Sequence, residues 1–245
     1  MQNDKINFSL IIPIGLMLFS FFFGAGNLIF PPVLGQMAGD NIGWGMLGFC
    51  LSGVGVPLLG VLAMAMKQSD NPDSIAMPMH PLYARAVTIL CALAIGPLFA
   101  IPRTAAVSFD TGIHSLLPAS CEAIGLPVYT VFFFVLTYFF SINPSKIIGH
   151  IGKFLSPMLL ICLAVLVVCV FVNPTGSLKM PNPDFATSPF FRGFQEGYNT
   201  MDLLAAILFG SITIKAIEAQ GITDKKVLTK LCSYAGLIAA FFLAI

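Results

Sequence analysis

The sequence predicts an all-α, polytopic transmembrane helix bundle, and three observations lead to it. Hydrophobic residues make up 57% of the 245-residue chain and charged residues only 9%. A soluble domain carries about 25% charged residues, because its surface must be solvated; 12 Lys+Arg and 11 Asp+Glu cannot cover a 26.2 kDa chain whose mean hydropathy is +0.91. Apolar runs of about 20 residues, the length a helix needs to cross a bilayer, recur along the sequence. Turn signals separate them. The lipid bilayer is therefore the expected partner of most of the surface.

In order, the expected spans lie near 8–37, 43–66, 86–109, 126–142, 154–172 and 194–214, with a seventh starting near Leu228 and still apolar at Ile245. They form one domain over 1–245. Between them stand Lys67-Gln-Ser-Asp-Asn-Pro72, Asn143-Pro-Ser-Lys146, Asn173-Pro-Thr-Gly176 and Thr223-Asp-Lys-Lys226. With the N-terminus in the cytoplasm, the inner segments hold Lys5, Lys67, Arg85, Lys146, Lys153, Lys215, Lys225, Lys226 and Lys230, against Lys179 and Arg192 outside. That nine-to-two bias sets the expected orientation. The last span has no polar flank, so the expectation is a truncated chain or a fragment of a longer transporter. A half-length protein that assembles with a second polypeptide or a second copy is the alternative.

Several classes fall away. A net charge of +1 gives no basic face for nucleic acid. The six cysteines form no CxxC pair and the three histidines have no partner at ligand spacing, so neither a transition-metal site nor a disulfide framework is expected. The first apolar stretch runs on into Pro31-Pro32, unlike a cleavable signal. No nucleophile–base pair or carboxylate cluster suggests an enzyme; Asp70 and Asp73 sit beside Asn71-Pro72, a turn.

The first span carries the strongest site signal, Phe21-Phe-Phe-Gly-Ala-Gly-Asn-Leu-Ile-Phe-Pro-Pro32. Two glycines and an asparagine interrupt an otherwise continuous apolar helix, and an unwound segment at membrane depth survives only where it lines a cavity or is buried in protein. Transporters use such breaks, with half-helix N-termini facing anionic groups and freed carbonyls coordinating cations. The alternative is a Gly-rich packing seam with a proline kink, since Gly35, Gly39 and Gly43 repeat the spacing. Asn27 favours the site, because packing needs no polar residue there. A second interruption is expected at Phe209-Gly210-Ser211, near the centre of span six.

Arg103, Asp110 and Asp202 lie within or at the ends of spans. Charges at membrane depth cost about 2.5–3.5 kcal/mol on insertion scales and are expected to find partners inside the bundle. They form either a static neutralising pair or a gate. The runs Phe132-Phe-Phe134, Phe139-Phe140 and Phe241-Phe242 are expected to face lipid, with Trp44 and Tyr83 as interfacial anchors.

Three stretches carry a family resemblance: Phe23-Gly-Ala-Gly-Asn-Leu-Ile-Phe-Pro-Pro-Val-Leu-Gly35, Ala94-Ile-Gly-Pro-Leu-Phe-Ala-Ile-Pro-Arg-Thr-Ala105 and Gly193-Phe-Gln-Glu-Gly-Tyr-Asn-Thr-Met-Asp202. From about Leu16 to Lys226 the chain resembles the first half of the bacterial branched-chain amino acid:cation symporters, the system II leucine–isoleucine–valine carriers, which have about twelve spans. The resemblance implies a LeuT-type fold of two inverted five-span repeats in the bacterial cytoplasmic membrane. It implies no cofactor, but uptake of leucine, isoleucine and valine coupled to sodium or protons. By the same resemblance the amides of Ala25 and Gly26, with Leu28 beside them, hold the substrate carboxylate. Asn27 and the carbonyls of Phe22 and Phe23 bind the cation, and Phe209, Gly210 and Ser211 are the span-six counterpart. Two departures stand out. Leu28-Ile-Phe30 replaces the arginine that follows the break in LeuT-type sodium symporters, and a further cation site in that fold needs an eighth span.

Overall fold

The computed structural model describes residues 8–118, 122–142, 155–173, 180–222 and 224–245. Among them it is all helix: α1 (Phe8–Phe22), α2 (Ala25–Ala38), α3 (Ile42–Cys50), α4 (Val56–Lys67), α5 (Pro81–Leu93), α6 (Ala100–Gly112), α7 (Glu122–Ser141), α8 (Ser156–Val172), α9 (Pro183–Thr187), α10 (Pro189–Tyr198), α11 (Asp202–Glu218) and α12 (Lys225–Ala244). Cys121, His150, Lys5, Lys146, Lys153, Lys179, Thr223 and the turns at 143–146 and 174–176 lie outside the described residues.

Local chemistry sets the ends. Gly39 closes α2 with φ 48°, a left-handed value that costs little without a Cβ. His80 caps α5, its Nδ1 accepting from the Leu82 amide, with Pro81 in the first turn, where no N–H is missed. Asp224 caps α12 through the amides of Lys226 and Val227, as a short acceptor side chain does. A π turn over Leu51–Gly55 joins α3 to α4. Pro97, next to the non-helical Gly96 (φ −81°, ψ −117°), kinks the connection from α5 to α6.

The core joins α1, α4, α11 and α12. Leu18, Phe19, Val61, Met64, Ile214, Ile217, Leu231, Cys232 and Ala235 are buried there. Beside it, α10 packs along α3 on a seam of small residues, Gly193 and Gly197 against Gly45, Gly48 and Gly53. Ser52 Oγ donates to the Phe194 carbonyl at 2.6 Å across that seam. The alternative to a site, a Gly35–Gly39–Gly43 packing seam, is not what joins helices here: Gly39 ends a helix, a Cβ on Gly43 would meet nothing within 4 Å among the described residues, and one on Gly35 would meet only Ile42. The close approach of helices uses other glycines.

Among the described residues four helical runs can by length and composition cross a membrane, Ala25–Lys67, Pro81–Leu116, Ile124–Ser141 and Lys225–Ala244, or five if α10 and α11, bent by 42°, count as one. Apolar side chains on α7 and α8 point outward, among them Phe132, Phe139, Phe140, Val168 and Phe171. An apolar surface of that extent is not stable in water. The architecture is that of a membrane helix bundle. Trp44 and Tyr83 are both exposed.

Candidate functional site

Helix α1 ends at Phe22, whose successor Phe23 makes the last helical bond to the Phe19 carbonyl (2.8 Å). Gly24 is extended (φ −113°, ψ −173°) and α2 starts at Ala25. The interruption therefore occupies 23–24, and Asn27, expected inside it, stands in the first turn of α2. From there its Oδ1 accepts from the Gly24 amide at 3.1 Å, so the asparagine caps the half-helix that follows the break. The first-turn amides of Ala25 and Gly26 lack helical acceptors, as at any helix start.

Span six is also interrupted, but not where expected. Helix α11 runs unbroken through Phe209, Gly210 and Ser211. Gly210 is buried there because α4 passes close: a Cβ on it would come within 3.1 Å of Met64 Cβ. Ser211 Oγ donates back to the Leu208 carbonyl at 2.7 Å. The glycine that suggests a break is a packing glycine. The break lies at 199–201, between α10 and α11, with Met201 left-handed (φ 67°). Phe209 still lies against the end of α1, its ring stacked on Phe21 at 5.0 Å and edge-on to Phe22 at 6.2 Å.

The two breaks meet. Asn27 Nδ2 donates to Asp202 Oδ2 at 2.7 Å, and Thr200 Oγ1 donates to the same oxygen at 3.0 Å. Asp202 opens α11 and is only 4% exposed, so its charge depends on these donors and on the positive end of its helix. From α6, Arg103 donates through Nη1 to the Asn199 carbonyl (2.9 Å) and through Nη2 to the Thr200 carbonyl (3.2 Å). Its guanidinium lies 5.6 Å from the Phe30 ring centroid. Its buried Nε has no hydrogen-bond partner among the described residues. Arg103 thus holds the second break by its backbone and leans on the first by a ring.

Asp110, grouped with Arg103 and Asp202 on sequence grounds, is exposed on α6. It stands seven residues from Arg103, about 10 Å of helix, and outside the cluster. Thr200 and Asn199 are site residues that the sequence reading missed. An Asn-Thr pair just before an acidic helix start is a helix-boundary signal that marks them.

Leu28 and Asn27, with Phe23, Pro31 and Pro32, line a partly open cavity of about 690 Å³ whose other walls come from α3, α8 and α12. Met46, Phe49, Val54, Leu160 and Val168 make it apolar, and Asn27 is its polar end. Such a chamber suits an aliphatic group attached to a polar head. Among the described residues no cluster of His, Cys, Asp and Glu is able to hold a metal ion.

A family model described as branched-chain amino acid transport protein matches residues 8–245. Over 244 residues the chain is 45% identical to the branched-chain amino acid permease BrnQ of Bacillus subtilis (strain 168), covering 100% of this chain and 56% of that protein. It is 39% identical to the branched-chain amino acid transport system 3 carrier protein of Pseudomonas aeruginosa, covering 94% of this chain and 52% of the carrier. The permease BrnQ of Escherichia coli (strain K12) matches with the same identity and the same coverage. The chain spans about half the length of the curated relatives it matches. No solved structure matches it.

Proposed function

Because the chain belongs to the family of branched-chain amino acid transport proteins, whose members named above are permeases and carriers rather than enzymes, we propose that it serves the cation-coupled uptake of leucine, isoleucine and valine across the bacterial cytoplasmic membrane. The observation that carries the reading is the 2.7 Å bond from Asn27 to Asp202, which brings two helix breaks together beside an apolar cavity.

In this reading the first-turn amides of α2, at Ala25 and Gly26, receive the substrate carboxylate, since a helix N-terminus offers unsatisfied N–H groups and a positive dipole end. The branched side chain enters the cavity past Leu28. Carbonyls of Phe22 and Phe23, with Asn27, take the coupling ion where it is sodium; a coupling proton needs a titratable group, and Asp202, bonded to Asn27, is the carboxylate at the two breaks. The Lys/Arg bias puts the N-terminus in the cytoplasm. The LeuT-type inverted repeat is the arrangement in which paired breaks at one depth arise.

Radiolabelled leucine uptake into proteoliposomes tests the reading. The protein used is a graft in which this chain replaces the matched segment of the Bacillus subtilis permease, compared with the chain alone. Sodium- or proton-dependent leucine uptake by the graft is the expected result. A graft that inserts normally and does not take up leucine contradicts it. Uptake by the chain alone assigns transport to this chain or to its homo-oligomer, and uptake by the graft only assigns it to the longer assembly.

A further inference from the structure

Helix α11 makes its first helical bond from the Ala205 amide to the Met201 carbonyl (3.2 Å). The carbonyls of Asn199 and Thr200, just before it, therefore receive nothing from that helix. At membrane depth such carbonyls need a protein donor, because lipid offers none. Arg103 supplies both from another span, Nη1 at 2.9 Å and Nη2 at 3.2 Å. The next residue, Met201, is left-handed at φ 67°, a conformation that persists in a residue with a Cβ only where its surroundings fix it. The same guanidinium lies 5.6 Å from the Phe30 ring centroid, one turn along α2 from Gly26, and a Cβ on Gly26 would stand 3.0 Å from its Nη2. Arg103 is wedged between the half-helix that follows the first break and the unwound backbone of the second. Neutralising Asp202 does not account for this geometry, since that carboxylate takes its bonds from Asn27 and Thr200.

We propose that Arg103 is a positioning residue for transport: its planar fork holds the Asn199 and Thr200 carbonyls and so fixes the bend between α10 and α11. This deepens the transport reading above and rests on it. Arg103 acts through the backbone it holds and not on the substrate or the ion. The bend matters because α10 packs along α3 while α11 packs along α4, so the 42° angle at the break is where two differently packed half-helices join. It also sets where Asp202 stands, one residue beyond Met201 and 2.7 Å from Asn27 Nδ2. Two donors fixed in one plane suit two successive carbonyls. A lysine carries the same charge on a single flexible donor group and cannot hold both in register.

Two measurements test this. The first reads the bend in the whole chain in detergent, with the native cysteines replaced by serine. Electron paramagnetic resonance gives the distance between nitroxides on Phe191→Cys and Glu218→Cys, exposed positions at the far ends of α10 and α11. The parent is expected to show one narrow distance, and Arg103→Gln and Arg103→Lys a broadened or second one. The second measurement is leucine uptake by the reconstituted graft, per folded molecule. Both variants are expected to lower kcat about tenfold, the scale of the charge-assisted bonds lost, and to leave KM within about twofold of the parent. Unchanged distances overturn the proposal. So does an Arg103→Lys variant with the distances and kcat of the parent, since charge alone then suffices. A kcat per folded molecule equal to the parent, with only the yield of folded protein reduced, shows a purely structural part and contradicts the proposal, as does failure of both variants to fold. The distances require no transport, so a graft that fails to take up leucine contradicts the transport reading and leaves the distances to decide this one.

Discussion

Gly26 faces Thr200 across the two helix breaks so closely that a Cβ on Gly26 would stand 3.1 Å from Thr200 Cα and 3.0 Å from Arg103 Nη2. Arg103 is a flexible side chain, but Thr200 Cα belongs to a backbone fixed by Arg103 and Asp202, so little room is available on that side. Gly26→Ala is expected to cost about 1–3 kcal/mol, the usual penalty for overpacking. Gly26→Leu is expected to abolish leucine binding while leaving membrane insertion intact. Thermal melting of the graft checks the first and isothermal titration with leucine the second; leucine binding by Gly26→Leu within about twofold of the parent contradicts the assignment.

The Asn27–Asp202 bond predicts a swap. Asn27→Asp alone sets two carboxylates against each other, and Asp202→Asn alone removes the charge that strengthens the bond. Each is expected to lower leucine turnover about tenfold, the scale of one charge-assisted hydrogen bond. The double variant Asn27→Asp/Asp202→Asn recreates the pair with donor and acceptor exchanged, and is expected to recover most of the loss. Initial uptake rates per inserted molecule decide it; a double variant no better than the singles shows that the contact does not matter for transport.

The seam between α3 and α10 brings helix backbones together at Gly48 and Gly193, where an added Cβ would overlap main-chain atoms of Phe190 and Gly45. Backbone cannot yield as a side-chain tip can. Gly48→Ala and Gly193→Ala are expected to push the helices apart and lose most of the folded protein. Gly43→Ala, with nothing within 4 Å, is expected to be neutral or slightly stabilising, by up to about 1 kcal/mol. Size-exclusion profiles of fluorescently tagged variants separate these outcomes.

Lys215 Nζ lies 3.6 Å from Asp70 Oδ2, both side chains more than half exposed. Exposed pairs contribute about 0–1 kcal/mol and are screened by salt. Lys215→Ala is expected to leave the melting midpoint nearly unchanged at moderate ionic strength. A large loss of stability indicates that this link between α11 and the turn after α4 holds the fold.

The helical, membrane-spanning character was legible because it rests on composition and run length, both local. The first break was legible to within three residues: Gly24-Ala-Gly-Asn27 is an interruption in itself, and its capping by Asn27 moved its boundary. The second break was misplaced, because Gly210 looks like a helix breaker in sequence while its reason is the nearness of Met64. The true break at 199–201 has no glycine, and its meaning comes from Asn27, 175 residues away. Arg103 illustrates the same limit. Its charge demanded a partner, but Asp110, close in sequence, was on the wrong part of the helix, and the partners proved to be the carbonyls of Asn199 and Thr200.

The central claim is that leucine enters the cavity beside the first break. Leu28 lines that cavity and is 37% exposed, so Leu28→Cys reports on occupancy in a graft whose native cysteines are replaced by serine, since Cys50 lines the cavity too and Cys162 and Cys169 are exposed. The measurement is the rate at which a water-soluble maleimide labels this thiol in the reconstituted graft, with and without leucine. The account predicts that leucine, isoleucine and valine each slow labelling and that lysine does not. Labelling unaffected by leucine, in a graft that still takes leucine up, contradicts it.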